Sequence, residues 1–385
     1  MLFEPPISTS NLYEPELDKL WQIFEIGFDE NEVFQTGKLV QQLESRLCDY
    51  HHSKFCVTFS TGFWALVAAI KIRAIPGRSE VVIPSMTYRR LADVVYWAGN
   101  IPVMVDIEPE NLAVCPDSVE AAISDSTALI LGVHPIVNCC DVAKLIKIAK
   151  QKNLPIVFDA VESVHETIAG QRVGSFGIGE VFSFHASKLI NGIEGGYVCT
   201  DDEIFRNQLI AFRNQQTQIS SSKNKQRFGE SSILPDLQHG LIGVMNDAHA
   251  AYAIASMDEL ELNVAHNKQI YEAYIEGLTQ IHGIDLINFD TSEQTSFKNI
   301  VARVNQPFQL SRDQLVAKLN DQGILARAHY NPPLHMKRYH FPVKVEPTPN
   351  ADVAMHHYIN LPCGSRVSKA DVRKTCQYLD SLSQP

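Results

Sequence analysis

Lys188 closes the run FSFHASK at residues 182–188 and is followed by glycines at 192, 195 and 196. A lysine just past an apolar strand, set between hydroxyl residues and glycines, is not placed like a surface lysine. Desolvation there disfavours the ammonium form and leaves an amine that attacks carbonyls. Ser183 and Ser187 could hold an anionic group, and the glycines permit close backbone approach. The alternative is a solvated lysine on a loop. A second candidate lies in IVFDAVE at residues 156–162, where Asp159 ends an apolar strand and Glu162 follows three residues later. An unpaired carboxylate is costly in such a place, so a cation should meet it. A protonated pyridine nitrogen would answer that need and make the ring an electron sink. Asp159 as a helix cap is the alternative. Third, FSTGFWAL at residues 59–66 is a small polar turn opening an apolar helix. The free amides of such a start favour a phosphate, although many helices begin this way.

The elements that position these residues follow from hydrophobic patterning. Apolar runs at Val81–Pro84, Ile101–Ile107, Ala128–His134, Pro155–Asp159, Val181–Phe184 and Gly196–Cys199 alternate with helical stretches. The helices are expected at Gly62–Ile75, Tyr88–Ala98, Ser118–Ile123 and Val142–Lys152. Such alternation predicts an α/β fold, with a largely parallel sheet covered on both faces. Ligands sit beyond the carboxyl ends of strands in such sheets. That rule gathers Pro84–Tyr88, His134, Asp159–Glu162 and Ser183–Lys188 into one site. Gln215–Gln226 is polar and reads as a mobile loop. A long helical stretch is expected from Asp247 to Tyr274. Beyond it come strands near Asn299–Val304 and Ile324–His329 and helices near Ser311–Gln322 and Lys369–Leu382, an α+β arrangement. The expected division is an arm at 1–30, a large domain at 31–265 and a small domain at 266–385, with the arm packing on the small domain.

The 385 residues are 45% hydrophobic and 20% charged, a composition suited to a large domain and a smaller one. A formal charge of −11 argues against nucleic acid or an anionic membrane as the main partner. No apolar run approaches the roughly 20 residues of a membrane span, and the N-terminus lacks the order of a signal peptide. The eight cysteines are scattered without a CxxC, which reads as free thiols in a reducing compartment and a cytoplasmic location. No histidine spacing matches a known metal motif, and no metal is expected.

Together and in this order, these motifs resemble the DegT/DnrJ/EryC1/StrS sugar aminotransferases, which are fold type I pyridoxal-phosphate enzymes. The resemblance runs from about residue 30 to 380. It is carried by Ser60–Leu66, Pro84–Tyr88, Pro102–Asp106, Val133–His134, Asp159–Glu162 and Ser183–Lys188. Met245–Asp247, Ala250–Ala251, His329–Tyr330 and Pro333–His335 add to it. The resemblance implies a large PLP-binding domain and a smaller C-terminal one. By the same likeness Lys188 forms the Schiff base and serves as the base for the 1,3-proton shift. Asp159 pairs with the ring nitrogen, Glu162 lies near the phenolic oxygen and Tyr88 stacks on the ring. Ser183 and the amides of Gly62 and Phe63 bind the phosphate, with His185 in the same cofactor-binding motif. A homodimer with shared sites is also implied.

The chain departs from the pattern in three places. Phe63 stands where the family usually has Thr, removing a phosphate hydroxyl. Arg89 and Arg90 replace small residues, and Ile242 and Val244 replace an Asn and a basic residue. Two lost polar contacts weaken phosphate binding by about 0.5–1.5 kcal/mol each. Arg89 or Arg90 could replace them or bind a substrate carboxylate or phosphate, with solvated arginines as the alternative. His329 and Tyr330 are further candidates for substrate contact. Lys188 argues against the family's dehydratase branch, which carries His there. The expected reaction is ping-pong amino transfer from glutamate or glutamine to a carbonyl acceptor, by default a nucleotide-linked keto-sugar. A non-sugar acceptor, an elimination or decarboxylation, or a non-catalytic regulatory paralogue are the competing readings.

Overall fold

The computed structural model describes residues 1–9, 13–27, 37–214, 241 and 243–383. The loop expected at Gln215–Gln226 and the replaced polar contact at Ile242 lie outside the described residues.

Eight strands form the large sheet, in the order Lys344–Val345, Ile101–Val105, Glu80–Pro84, Thr127–Val133, Ile156–Asp159, Glu180–Ser183, Gly196–Thr200, Phe55–Phe59. The first six run parallel, and Gly196–Thr200 is antiparallel to both of its neighbours. Every residue of Glu80–Pro84, Thr127–Val133 and Ile156–Asp159 is buried, so these strands are covered on both faces. Helices Gly62–Arg73, Leu91–Trp97 and Glu203–Arg213 cover one face through a shared core with Ala65, Leu91 and Phe205. Helices Pro116–Ala122 and Val142–Gln151 cover the other through Val119, Leu145 and Ile148. The chain leaves strand Glu80–Pro84, builds the strand on one side, then crosses to Thr127–Val133 on the other. The reversal opens a crevice at the carboxyl ends, where Ser85 and His134 begin their loops.

The small unit is a four-stranded antiparallel sheet, in the order Ile284–Leu286, Ile300–Val304, Tyr358–Leu361, Arg327–Ala328. Its core joins helices Leu260–Leu278, Arg312–Asp321 and Lys369–Ser383. Buried Arg312 donates to the carbonyls of Met355 at 2.6 Å and Tyr358 at 3.0 Å, tying a helix start to the neighbouring turn. Residues Ile7–Ser8 pair in parallel with Ile324–Leu325, and Phe3 and Ile7 enter the small core.

Three details differ from the sequence pattern. The long helix is two helices, Asp247–Asp258 and Leu260–Leu278, divided at Glu259. The first packs on the large core and the second on the small one, and one straight rod could not reach both. The strand expected at Ile324–His329 is split between two sheets, at Ile324–Leu325 and Arg327–Ala328. Finally, residues 334–345, counted with the small domain, return to the large sheet. Leu334, Tyr339, Phe341 and Val343 join its core, and Lys344–Val345 pairs with Ile101–Val105. This apolar segment covers an edge strand that would otherwise expose its ladder.

Candidate active site

Lys188 sits on a loop that is fastened at both sides. Phe184 N–H donates to Gly195 O at 2.9 Å, Ala186 N–H to Ile193 O at 3.0 Å, and Lys188 N–H to His185 O at 2.8 Å. The Lys188 side chain therefore points back over the sheet, largely buried, and its Nζ donates to Glu162 Oε1. The other oxygen, Glu162 Oε2, accepts from Lys298 Nζ at 2.8 Å. Asp159 ends the strand beneath them, 2% exposed, and among the described residues its carboxylate accepts from Val161 N–H at 3.2 Å. Burial pushes the Asp159 carboxyl up to about 6, against the pull of the Val161 amide and Lys188. Burial acts on Glu162 in the same sense, but Lys188 and Lys298 overrule it and hold that carboxyl at about 2. Two nearby carboxylates thus differ because one has two cations and the other awaits one.

At the other end of the crevice, Thr61 caps helix Gly62–Arg73, its hydroxyl accepting from Trp64 N–H at 3.1 Å. The first helical amides, at Gly62 and Phe63, have no acceptor within the helix and face outward. Gly62 is required by contact. A Cβ there would lie 2.9 Å from Ser183 Cβ and 3.0 Å from its Oγ. Gly196 is pressed equally hard, since its Cβ would fall 2.5 Å from Gly62 Cα. Two missing side chains therefore bring the helix start against the Ser183 hydroxyl, which accepts from His185 N–H at 3.2 Å.

Tyr88 borders the same pocket. Burial raises its phenol, against the pull of Arg90, Arg89 and Lys188 and with Asp159 adding to the rise. Across from it, half-buried Tyr330 adopts a φ of 42° and packs against His329 with ring centres 4.2 Å apart. Burial pushes the Tyr330 phenol well above its ordinary value, with Glu162 and Asp159 adding to the effect. Burial lowers His329 to about 3, so that ring is neutral. His134 is likewise buried and held at about 3, stacked on Phe158 with its Nδ1 accepting from Cys140 N–H at 3.3 Å. It wedges behind the Asp159 strand.

The sequence candidates thus separate. Gly62, Phe63, Tyr88, Asp159, Glu162, Ser183, Lys188, His329 and Tyr330 converge on the crevice. His185 lies on the exposed side of its turn, with Nδ1 2.9 Å from Ser187 Oγ and Nε2 3.9 Å from Glu194. Arg89 and Arg90 are exposed at the rim, because the helix expected from Tyr88 begins only at Leu91. Arg90 sits 5.8 Å from the Phe63 ring centre and 3.8 Å from Asp93, while the Arg89 carbonyl accepts from Lys337. Lys298 was not singled out in the sequence. The signal was present, since it opens the apolar run Asn299–Val304 as Asp159 closes another.

This arrangement fits pyridoxal phosphate. A buried carboxylate short of a cation matches a ring nitrogen, a helix start with a hydroxyl matches a phosphate, and Lys188 lies between. Among the described residues no group of three His, Cys, Asp or Glu could hold a metal, and no helix is long and apolar enough to cross a membrane.

The sequence profile of the DegT/DnrJ/EryC1/StrS aminotransferase family matches residues 26–380. A GDP-perosamine synthase of Vibrio cholerae is 25% identical over 370 residues, 95% of this chain and 96% of that protein. One from Caulobacter vibrioides is 24% identical over 351 residues, 91% of each chain. Among solved structures, DesI in the presence of its TDP-sugar product superposes with a TM-score of 0.89 at 25% identity, covering 99% of this chain and 94% of that one.

Proposed function

We propose that this chain, which belongs to the DegT/DnrJ/EryC1/StrS aminotransferase family, moves an amino group from glutamate or glutamine to the carbonyl of a nucleotide-linked keto-sugar. That it is a pyridoxal-phosphate-dependent aminotransferase of fold type I follows from the family match and the shared fold. The observation that carries the fuller reading is the Lys188–Glu162 contact above Asp159, at the carboxyl ends of parallel strands. The sugar acceptor is supported by relatives named for GDP-perosamine and a TDP-sugar product.

When bound, the cofactor supplies an aldehyde that accepts the donor's amino group and a protonated ring that draws off electrons. The rest is the work of side chains. Lys188 Nζ would be the nucleophile toward that aldehyde and, once released, would take the proton off the donor carbon in one half-reaction and deliver a proton to the acceptor carbon in the other. Asp159 supplies the negative charge that keeps the ring nitrogen protonated. Glu162 holds Lys188 in line, and Tyr88 and Tyr330 close the two sides of the ring. Ser183 and the Gly62 and Phe63 amides bind the phosphate, while exposed Arg89 or Arg90 is placed to meet an anionic substrate group at the rim.

Two copies of the chain form the working unit in this reading. Supporting it is an exposed aromatic patch, in which Trp97 and Trp64 meet with ring centres 5.7 Å apart. All eight cysteines are free, in keeping with a reducing cytoplasm. The test is spectroscopic. Purified chain with pyridoxal phosphate should show a visible absorbance band that disappears on adding glutamate or glutamine and returns with a GDP- or TDP-linked keto-sugar. A bound cofactor that no amino donor converts would overturn the transfer reaction. Conversion by a donor without recovery by any sugar nucleotide would overturn the acceptor.

A further inference from the structure

Lys298 is buried, 6% exposed, two residues before strand Ile300–Val304 of the small sheet, yet its Nζ reaches 2.8 Å to Glu162, which follows a strand of the large sheet. Glu162 thereby faces two amines, one on each oxygen, with side-chain exposures of 16% for Lys188, 13% for Glu162 and 7% for Lys298. The charged and titratable groups around this pair are Asp159 and Lys188 from the large domain, and His329, Tyr330 and Cys363 from the small one. Lys188 cannot both pair with Glu162 and condense with an aldehyde in its working position. Its departure would strand a carboxylate in a dry site, where a lone carboxyl takes up a proton.

We propose that Lys298 is a positioning residue that keeps Glu162 ionised and in place when Lys188 leaves it for the cofactor. This rests on the pyridoxal-phosphate reading and adds to it a residue from the other domain. Lys188 must give up a proton to attack as the free amine, one water leaves, and its nitrogen takes a proton back, so the condensation itself is neutral in protons. With Lys298 on Oε2, Glu162 needs no proton to compensate. Burial lowers the Lys298 ammonium while Glu162 supports it, so the two charges depend on one another. Because Lys298 leads into a strand of the small sheet and Glu162 follows a strand of the large one, the pair also ties the two sheets together across the crevice.

The test counts protons. Pyridoxal phosphate is titrated calorimetrically into the cofactor-free full chain at pH 7, in two buffers of different ionisation enthalpy. Lys298→Met should take up about one-half to one more proton per site than the wild type, and its affinity should fall up to about tenfold more per pH unit. Lys298→Arg should restore the wild-type count. Glu162→Gln with Lys298→Met should restore it too, since no carboxylate remains to protonate. If Lys298→Met does not fold, Lys298→Gln removes the same charge while keeping a hydrogen bond, and the same excess is expected. Equal proton counts in the wild type and the charge-removing variant would overturn the proposal, as would an excess that persists in the double variant. A wild type that binds no pyridoxal phosphate overturns the cofactor reading itself, and binding without the proton difference overturns only the role of Lys298.

Discussion

Replacing Asp159 with Asn should stabilise the cofactor-free chain at pH 8 while weakening its hold on the cofactor. Asp159 is 2% exposed, with one amide for a partner, and burial raises its carboxyl from an ordinary 3.8 to about 6. A raised folded-state value means that stability falls as pH climbs from about 3.8 through about 6, then levels. At about 1.36 kcal/mol for each pH unit, the ionised carboxylate costs the cofactor-free fold about 3 kcal/mol above that window. Asn is neutral throughout and keeps an oxygen for the Val161 amide. The advantage of Asp159→Asn should therefore be small near pH 4, grow through pH 6 and reach about 3 kcal/mol at pH 8. Urea denaturation of both chains at pH 4.5, 6 and 8 measures it. The same variant should bind pyridoxal phosphate at least tenfold more weakly, having lost the counter-charge to the ring nitrogen. An advantage that is absent at pH 8, or equal at all three values, would refute the argument that Asp159 is held ionised at a cost for the sake of a ligand.

Lys188→Ala should abolish amino transfer and the borohydride-fixable attachment of pyridoxal phosphate. Gly196→Ala should cost about 1–3 kcal/mol in urea denaturation and weaken cofactor binding, because its Cβ falls 2.5 Å from Gly62 Cα and 2.8 Å from Phe182 O. Arg213→Ala should destabilise by about 1–3 kcal/mol, since it removes the cation at 2.8 Å from Glu44 and the donor to the Thr58 carbonyl at 2.7 Å, leaving Glu44 only the Thr58 amide and hydroxyl. Adding Glu44→Gln should recover part of that loss, readable in a double-mutant cycle.

Much of the site was legible because its residues cluster at strand ends. Lys188, Asp159 and Glu162 each sit where an apolar run stops, and a charge in that position asks for a partner. The same rule applied to the last third would have found Lys298. A lysine before a strand usually reaches solvent, and only the docking of the small sheet turns this one inward. Arg89 and Arg90 illustrate the opposite case. Their neighbours predict a helix from Tyr88, but the turn runs on to Leu91, leaving both guanidiniums at the rim. Asp106, visible as the end of a strand, turns out to bind the amides of Asn350 and Ala351 at 3.0 and 2.9 Å, fixing the start of helix Pro349–Ala354.

Local patterning in the sequence was sufficient for the parallel strands and for the placing of Lys188, Asp159 and Glu162 at strand ends, because each depends on neighbours within a few residues. Tertiary structure alone decided what those groups touch. Glu162 is held between a lysine 26 residues away and another 136 residues away, and the second arrives from the loop that leads into a different sheet. Residues 334–345 return to the edge of the large sheet for a similar reason. A strand edge and a buried charge are both satisfied by whatever the packed chain brings within reach, and distance along the sequence does not enter that energy.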